Sequence, residues 1–168
     1  MKFTSEHLKS LHELYIAHLK KALDMEREIT KALPTMVEKS STPELANAFR
    51  THLRETEGHV SRIEQILKRQ IGSASSETCK VIGALVTEAK DGIKDAKDDA
   101  TVLDATLIAS AQQVEHHEMA VYGTLRSWAQ LMGHNEDVGL LESTLKEEKS
   151  ADEKLTRIST EANARAAA

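Results

Sequence analysis

The chain has 168 residues, of which 40% are hydrophobic, 29% are charged and only 3% are aromatic. Its net charge of -5, without a lysine or arginine cluster on a recognisable motif, argues against a nucleic-acid partner. The single cysteine, Cys79, excludes an internal disulfide and a thiolate metal cluster.

The length fits one domain with a sizeable core, so we predict a single domain over residues 1–168. The chain contains no run of about 18 apolar residues, and its N-terminus lacks the apolar stretch of a signal peptide. We therefore expect a cytoplasmic protein that has no contact with a membrane.

Three breaks with clear sequence signals help to delimit five predicted helices. At the first break Thr42 is a suitable N-cap and Pro43 a suitable first helical residue. The second break, 72–76, is a loop by its glycine and serine content, and the third has Gly133 where a helix C-cap favours glycine. Pro34 predicts a kink or an early end within the first helix. The predicted helices cover approximately residues 4–39, 42–71, 77–95, 99–132 and 136–165.

Four of these helices are long and one is short. Tight turns join the first long helix to the second and the third to the fourth, and a longer connection that contains the short helix links the two pairs. The good helix formers that dominate the chain support this all-α assignment. The connectivity predicts a ferritin-like four-helix bundle with one long crossover containing a short fifth helix.

Acidic residues interrupt the apolar stripe of every long helix near its middle. They are Glu26, Glu55, Glu115, Glu118, Glu148 and Asp152. Lysine and arginine are almost absent from these stripes, and buried carboxylates must be paired, protonated or bound to metal. The set therefore predicts a dinuclear site for two iron or manganese ions, because oxygen-rich ligation suits these metals better than zinc. The alternative is that each acid lies at the edge of its stripe with its carboxylate in water.

Histidines on the second helix offer nitrogen ligands to the same site. His52 and His59 flank Glu55 at helical spacing, so the ring of either one can lie on the face that carries that carboxylate. His116 and His117 point away from Glu115 on the helix and are expected at a surface or interface. Tyr122 is expected to pack in the core.

Four stretches of the chain, 24–34, 52–58, 107–125 and 144–152, carry a resemblance to a known family. The sequence resembles the YciE/YciF-like family of bacterial ferritin-like proteins, which is related to rubrerythrin. The resemblance implies a four-helix bundle, a homodimer and a role in stress responses. It also makes His52 the expected histidine ligand.

Comparison with rubrerythrin places Glu26, Glu55, Glu148 and the pair Glu115 and Glu118 where that group keeps its helix-borne carboxylates. Its Glu-x-x-His pairs are not kept, because Gly58 and Ala151 stand at the two histidine positions. The chain also has no rubredoxin-like cysteine pair, which excludes an attached iron-sulfur centre.

The predicted function is a dinuclear iron or manganese protein of stress response. It would react with peroxide or dioxygen, or oxidise Fe²⁺, with Glu55 and Glu148 bridging two ions about 3.5–4 Å apart. The alternative is a non-catalytic helical stress or interaction protein in which any metal is structural. The residues leave the metal, the substrate and the redox partner open.

Overall fold

The computed structural model describes residues 8–168, and within that range all regular secondary structure is helical. The five helices are α1 (Leu11–Lys39), α2 (Pro43–Ile71), α3 (Lys80–Asp95), α4 (Ala100–Leu131) and α5 (Asn135–Ala166). Helix α1 packs mainly on α2 and helix α4 mainly on α5, and α3 lies in the crossover between the pairs. This confirms the predicted ferritin-like bundle. None of the described helices combines the length and apolar character needed to cross a membrane.

The helix ends follow local chemistry. Thr42 caps α2 by accepting a hydrogen bond from the backbone N–H of Leu45, as predicted. Gly72 and Gly133 end α2 and follow α4 with φ angles of 74° and 75°, a conformation that glycine adopts without strain. Helix α1 runs through Pro34 to Lys39, so it does not end early.

The start of α1 differs from the prediction. We expect this helix from about residue 4, but residues 4–7 lie outside the described range and 8–10 precede the helix. The side chain of Ser10 accepts a hydrogen bond from the backbone N–H of Glu13, so Ser10 is the N-cap and α1 begins at Leu11. The serine hydroxyl stabilises a helix start there, because it satisfies one of the free N–H groups of the first turn.

Two buried aspartates link the helices at opposite ends of the bundle. At one end Asp137 of α5 accepts hydrogen bonds from Tyr15 of α1 (3.0 Å) and from Arg69 and Gln70 of α2 (2.6 and 2.7 Å). At the other end Asp104 of α4 accepts three bonds, two from Ser41 and one from Arg165. Aliphatic side chains fill the space between each end and the middle of the bundle.

Candidate metal centre

Buried carboxylates and imidazoles meet in the middle of the bundle, and every long helix contributes at least one. Helical spacing puts His52 and His59 two turns apart on one face of α2, and Glu115 and Glu118 one turn apart on α4. The contributing side chains, each at most 6% exposed, are Glu26, His52, His59, Glu115, Glu118 and Glu148.

These side chains form two groups that share one member. In the first group, ligand atoms of four residues lie within 4.8 Å of one another. It consists of His52, Glu115, Glu118 and Glu148. Glu26 and His59 form the second group with the same Glu148. His52 Nε2 is 3.3 Å from Glu115 Oε1, and His59 Nδ1 is 2.9 Å from Glu148 Oε1 and 3.6 Å from Glu26 Oε2.

Many potential ligand atoms in the two groups have no hydrogen-bond partner within the described part of the chain. Although Glu148 Oε1 makes an ion-pair contact with His59 Nδ1, both oxygens of Glu148 and both of Glu118 are buried without a well-aligned hydrogen bond. The same holds for Glu26 Oε2, His52 Nδ1, His59 Nδ1 and Glu115 Oε2. Buried polar atoms are almost always hydrogen-bonded in folded proteins, so this concentration indicates a missing bonding partner. A metal ion is a partner that several carboxylates and imidazoles can share.

Burial and mutual repulsion perturb the carboxyl groups. Burial raises the pKa of Glu26, and it raises the pKa of Glu118 well above the usual value with the help of Glu148. The pKa of Glu115 rises to about 8, because burial and Glu148 outweigh the attraction of His52. Glu115 therefore retains a proton near neutral pH when no cation is bound.

The pKa values of the two imidazoles are raised as well, but by the neighbouring carboxylates and against the effect of burial. Burial alone would lower the pKa of His52, but the neighbouring carboxylates of Glu55, Glu115 and Glu148 raise it to about 9. The pKa of His59 rises to about 11, because Glu148 and Glu26 outweigh its burial. Without metal, protonated imidazoles therefore supply the positive charge that the carboxylates need.

Residues outside the two groups orient their members. His59 Nε2 donates a hydrogen bond to Glu147 Oε2 (2.9 Å), and this leaves Nδ1 facing Glu26 and Glu148. Arg62 holds Glu147 through two contacts of 2.5 and 2.9 Å and lowers its pKa. Such a partner on the outer nitrogen fixes the tautomer and the angle of a metal-binding imidazole.

Tyr122 has a contact that its sequence position does not reveal. Its ring is fully buried, which confirms the predicted core position, and its hydroxyl also donates a hydrogen bond to Glu26 Oε1. Burial and the Glu26 carboxylate raise the pKa of this phenol well above the usual value, so it stays a donor. Tyr122 lies seven residues after Glu115, the two-turn spacing that places both on one helix face.

Two predicted ligands lie outside both groups. The side chain of Glu55 is 34% exposed and its Oε2 is 3.8 Å from His52 Nδ1. Asp152 Oδ1 lies 3.2 Å from Gln112 Nε2 and 3.4 Å from Nε2 of the exposed His116. A direct role for either acid in metal binding stays a prediction.

A helical bundle with a crossover helix, and with buried glutamates and histidines converging from all four long helices, defines a ferritin-like protein with a candidate metal centre. The family model described as "Domain of unknown function (DUF892)" matches residues 10–168. The chain belongs to this family.

The relatives confirm the resemblance to YciF-like proteins. Protein YciF of Escherichia coli K12 is 36% identical over 150 residues, which cover 89% of this chain and 90% of that protein. The crystal structure of this E. coli stress protein superposes with a TM-score of 0.87 at 35% identity, over 92% of this chain and 98% of the other. YcfI from Rhodopseudomonas palustris, for which a structural role has been suggested, gives a TM-score of 0.85 at 38% identity over the same shares of the two chains.

Proposed function

We propose that the two mid-bundle groups bind two iron or manganese ions and that the protein reacts with peroxide or dioxygen, or oxidises Fe²⁺, during stress. The observation that carries this proposal is the set of buried ligand atoms without a hydrogen-bond partner in the described residues, which belongs to the two groups. Carboxylate-rich ligation with one imidazole in each group suits iron or manganese better than zinc.

Each ion position has its own residues. His52, Glu115 and Glu118 would hold the first ion, and Glu26 and His59 the second. Glu148 belongs to both groups, so it would bridge the ions. The four carboxylates of the groups balance the charge of two divalent ions, and this removes the repulsion that contributes to the raised pKa values of Glu115 and Glu118.

A bound pair of ions would supply the redox chemistry and an open position for a small oxidant. The chain supplies position and surroundings. Tyr122 holds Glu26 through its hydroxyl, and Glu147 holds the outer nitrogen of His59. The aliphatic layers between the site and the two ends of the bundle lower the local dielectric constant, which strengthens the electrostatic interactions inside.

Metal loading tests the proposal. Protein purified without chelator and loaded anaerobically with Fe²⁺ or Mn²⁺ should hold about two ions per chain by elemental mass spectrometry. Glu148→Gln should abolish stoichiometric binding, whereas Glu142→Gln, at an exposed position of the same helix, should not. Turnover of peroxide or Fe²⁺ by the loaded protein would then support the redox function. A wild-type protein that stays metal-free after loading would refute it.

A structural role is the second candidate function. The hydrogen-bonded aspartates at the two ends show that the fold uses buried acids to link helices, and the R. palustris relative has a suggested structural role. In this case metal should raise the melting temperature while peroxide and Fe²⁺ turnover stay at the level of free metal.

The proposed assembly is a homodimer. The exposed Leu131 at the end of α4 and the nearby half-buried Trp128 offer apolar surface for a second copy. Light scattering should give twice the chain mass for the wild type and the monomer mass for Leu131→Asp. A monomeric wild type would refute the dimer.

A further inference from the structure

A cavity of about 310 Å³ lies between α1, α3 and α4, beside the first metal group. Its walls are mostly aliphatic and include Leu33 of α1, Val86 and Ile93 of α3, and Val114 of α4. Phe49 and His52 of α2, together with Glu115, line its buried end. The cavity volume is at the lower end of the range of about 300–1,000 Å³ that is typical of small-molecule pockets.

The crossover helix explains why this space exists. Ile82, near the start of α3, is the one buried residue of that helix. Leu85, Val86 and Ile93 continue the apolar face of α3, but they remain half-buried because they border the cavity. A ligand with an apolar body would complete the burial of this face, and the gain grows with the apolar area removed from water.

The rim of the cavity differs in charge from its interior. Lys31 of α1 and Lys90 of α3 are exposed there, and one acid, Glu28, pairs with Lys31 at 2.7 Å. The rim therefore has an excess of positive charge on a chain whose net charge is -5. An anionic group at the rim would be attracted to both lysines.

We infer that the cavity binds a medium-chain aliphatic carboxylate, with the alkyl chain inside and the carboxylate at Lys31 and Lys90. A chain of roughly ten carbon atoms fits the volume, given that a water molecule occupies about 30 Å³ and a methylene group has a similar size. The reverse orientation would take the ligand carboxylate out of water at the buried end of the cavity beside Glu115, and burying a charged group is unfavourable. This ligand site is separate from the proposed metal-dependent function, because its walls and rim consist of protein side chains and need no bound metal.

Calorimetric titration of the metal-free full-length chain with decanoate tests the site. We expect saturable binding of one decanoate per chain. Ala89→Trp places an indole in the cavity and should weaken binding by about tenfold or more. Ala84→Trp is the matched control, because Ala84 is exposed on the same helix, and it should leave the affinity within about twofold. Circular dichroism checks that both variants fold.

The rim is tested with a surface substitution that leaves the packing intact. Lys90→Glu should weaken decanoate binding by about threefold or more and leave decanol binding unchanged, since exposed ion pairs contribute little. Lys80→Glu makes the same change of net charge away from the cavity and should have no effect. The inference is overturned if decanoate does not bind saturably, if Ala89→Trp and Ala84→Trp weaken binding equally, or if decylammonium binds more tightly than decanoate. All of these titrations use metal-free protein, so their outcomes do not depend on the outcome of the metal-loading test.

Discussion

The ends and the middle of the bundle use buried acids in opposite ways. Asp137 and Asp104 are as buried as Glu118 and Glu148, at 0–1% exposure. Each aspartate accepts several hydrogen bonds from neighbouring parts of the chain. Neither oxygen of Glu118 has a hydrogen-bond partner among the described residues, and Glu148 has only ion-pair contacts with the rings of His52 and His59. Burial alone therefore does not explain why these two acids in the middle of the bundle lack hydrogen bonds. The difference supports the proposal that the acids at the ends stabilise the fold whereas those in the middle bind a cation.

The largest expected effect is the loss of an end cluster. Asp137→Ala leaves the Tyr15 hydroxyl and Arg69 without their shared acceptor, and it should lower the free energy of unfolding by about 3 kcal/mol. Urea denaturation measures the change. Glu136→Ala is the control: its side chain is 79% exposed, and it contacts the same Arg69. Glu136→Ala should lower the free energy of unfolding by less than about 1 kcal/mol. Equal losses in the two variants would contradict the contrast between the ends and the middle of the bundle.

Removing an acid from the middle should have the opposite sign. In metal-free protein at pH 8, Glu118→Gln should raise the free energy of unfolding by about 1 kcal/mol, because burial disfavours the charged carboxylate and the amide is neutral without taking up a proton. In metal-loaded protein the same variant should lower the melting temperature, since it removes a ligand. Calorimetry of both forms checks the reversal. A destabilised metal-free variant would show that Glu118 already has a partner.

The stability of the metal-free protein should fall as pH rises from about 5 to 9. Glu115 has its pKa raised to about 8 and His52 to about 9, so both bind protons more tightly in the folded state than in the unfolded state. Their contribution is complete at low pH and is lost as pH passes these values. Melting temperatures across this range measure the slope, and Glu115→Gln should reduce it. A slope unchanged in this variant would exclude Glu115 as a source.

The affinity for metal should show the matching dependence on pH. Ions must displace the protons held by Glu115 and His52, so affinity for Mn²⁺ should increase as pH rises from 6 to about 9. Competition with a chelator of known pH dependence measures the affinity. Affinity that is constant over this range would mean that the ligands are already deprotonated.

The smallest effect on stability is expected from Tyr122→Phe, which removes one hydrogen bond to Glu26 and keeps the ring. Mn²⁺ affinity should fall by about tenfold, the usual effect of losing a partner that orients a ligand. Stability of the metal-free protein should change by about 1 kcal/mol or less. Unaltered Mn²⁺ affinity would limit Tyr122 to core packing.

The fold was largely predictable because its helix ends carry local signals. The pair Thr42 and Pro43 and the glycines Gly72 and Gly133 mark breaks that require no tertiary information. Ser10 carries the same kind of signal, but the charged and apolar residues before it have a helical pattern that obscured the cap. Propensity and capping then disagree, and capping determines where α1 begins.

The sequence predicted which residues face the candidate site only to within one residue position on each helix. Glu26, Glu115, Glu118 and Glu148 lie on the buried stripes, where the apolar spacing places them. Glu55 is one residue from the buried Thr56, and Asp152 is one residue from the buried Ala151. A rotation of about 100° per residue moves such neighbours to the edge of the helix interface. The spacing alone does not resolve that rotation.

Contacts across helices were not predictable from spacing. The bond between Tyr122 and Glu26 joins α4 to α1, and the position of His59 beside Glu148 joins α2 to α5. Both depend on how the four helices align along the bundle axis, which is determined by packing of the whole core. The cavity beside α3 has the same origin.

The sparse anchoring of α3 also has a dynamic consequence. A helix with one buried residue, Ile82, has little apolar surface to lose when it detaches, so its opening costs less than global unfolding. Its backbone amides should therefore exchange with deuterium well before those of α2 and α5. Such early exchange would mean that the bundle stays folded while its crossover helix opens, and small molecules would then have a route to the interior that does not require the four long helices to separate.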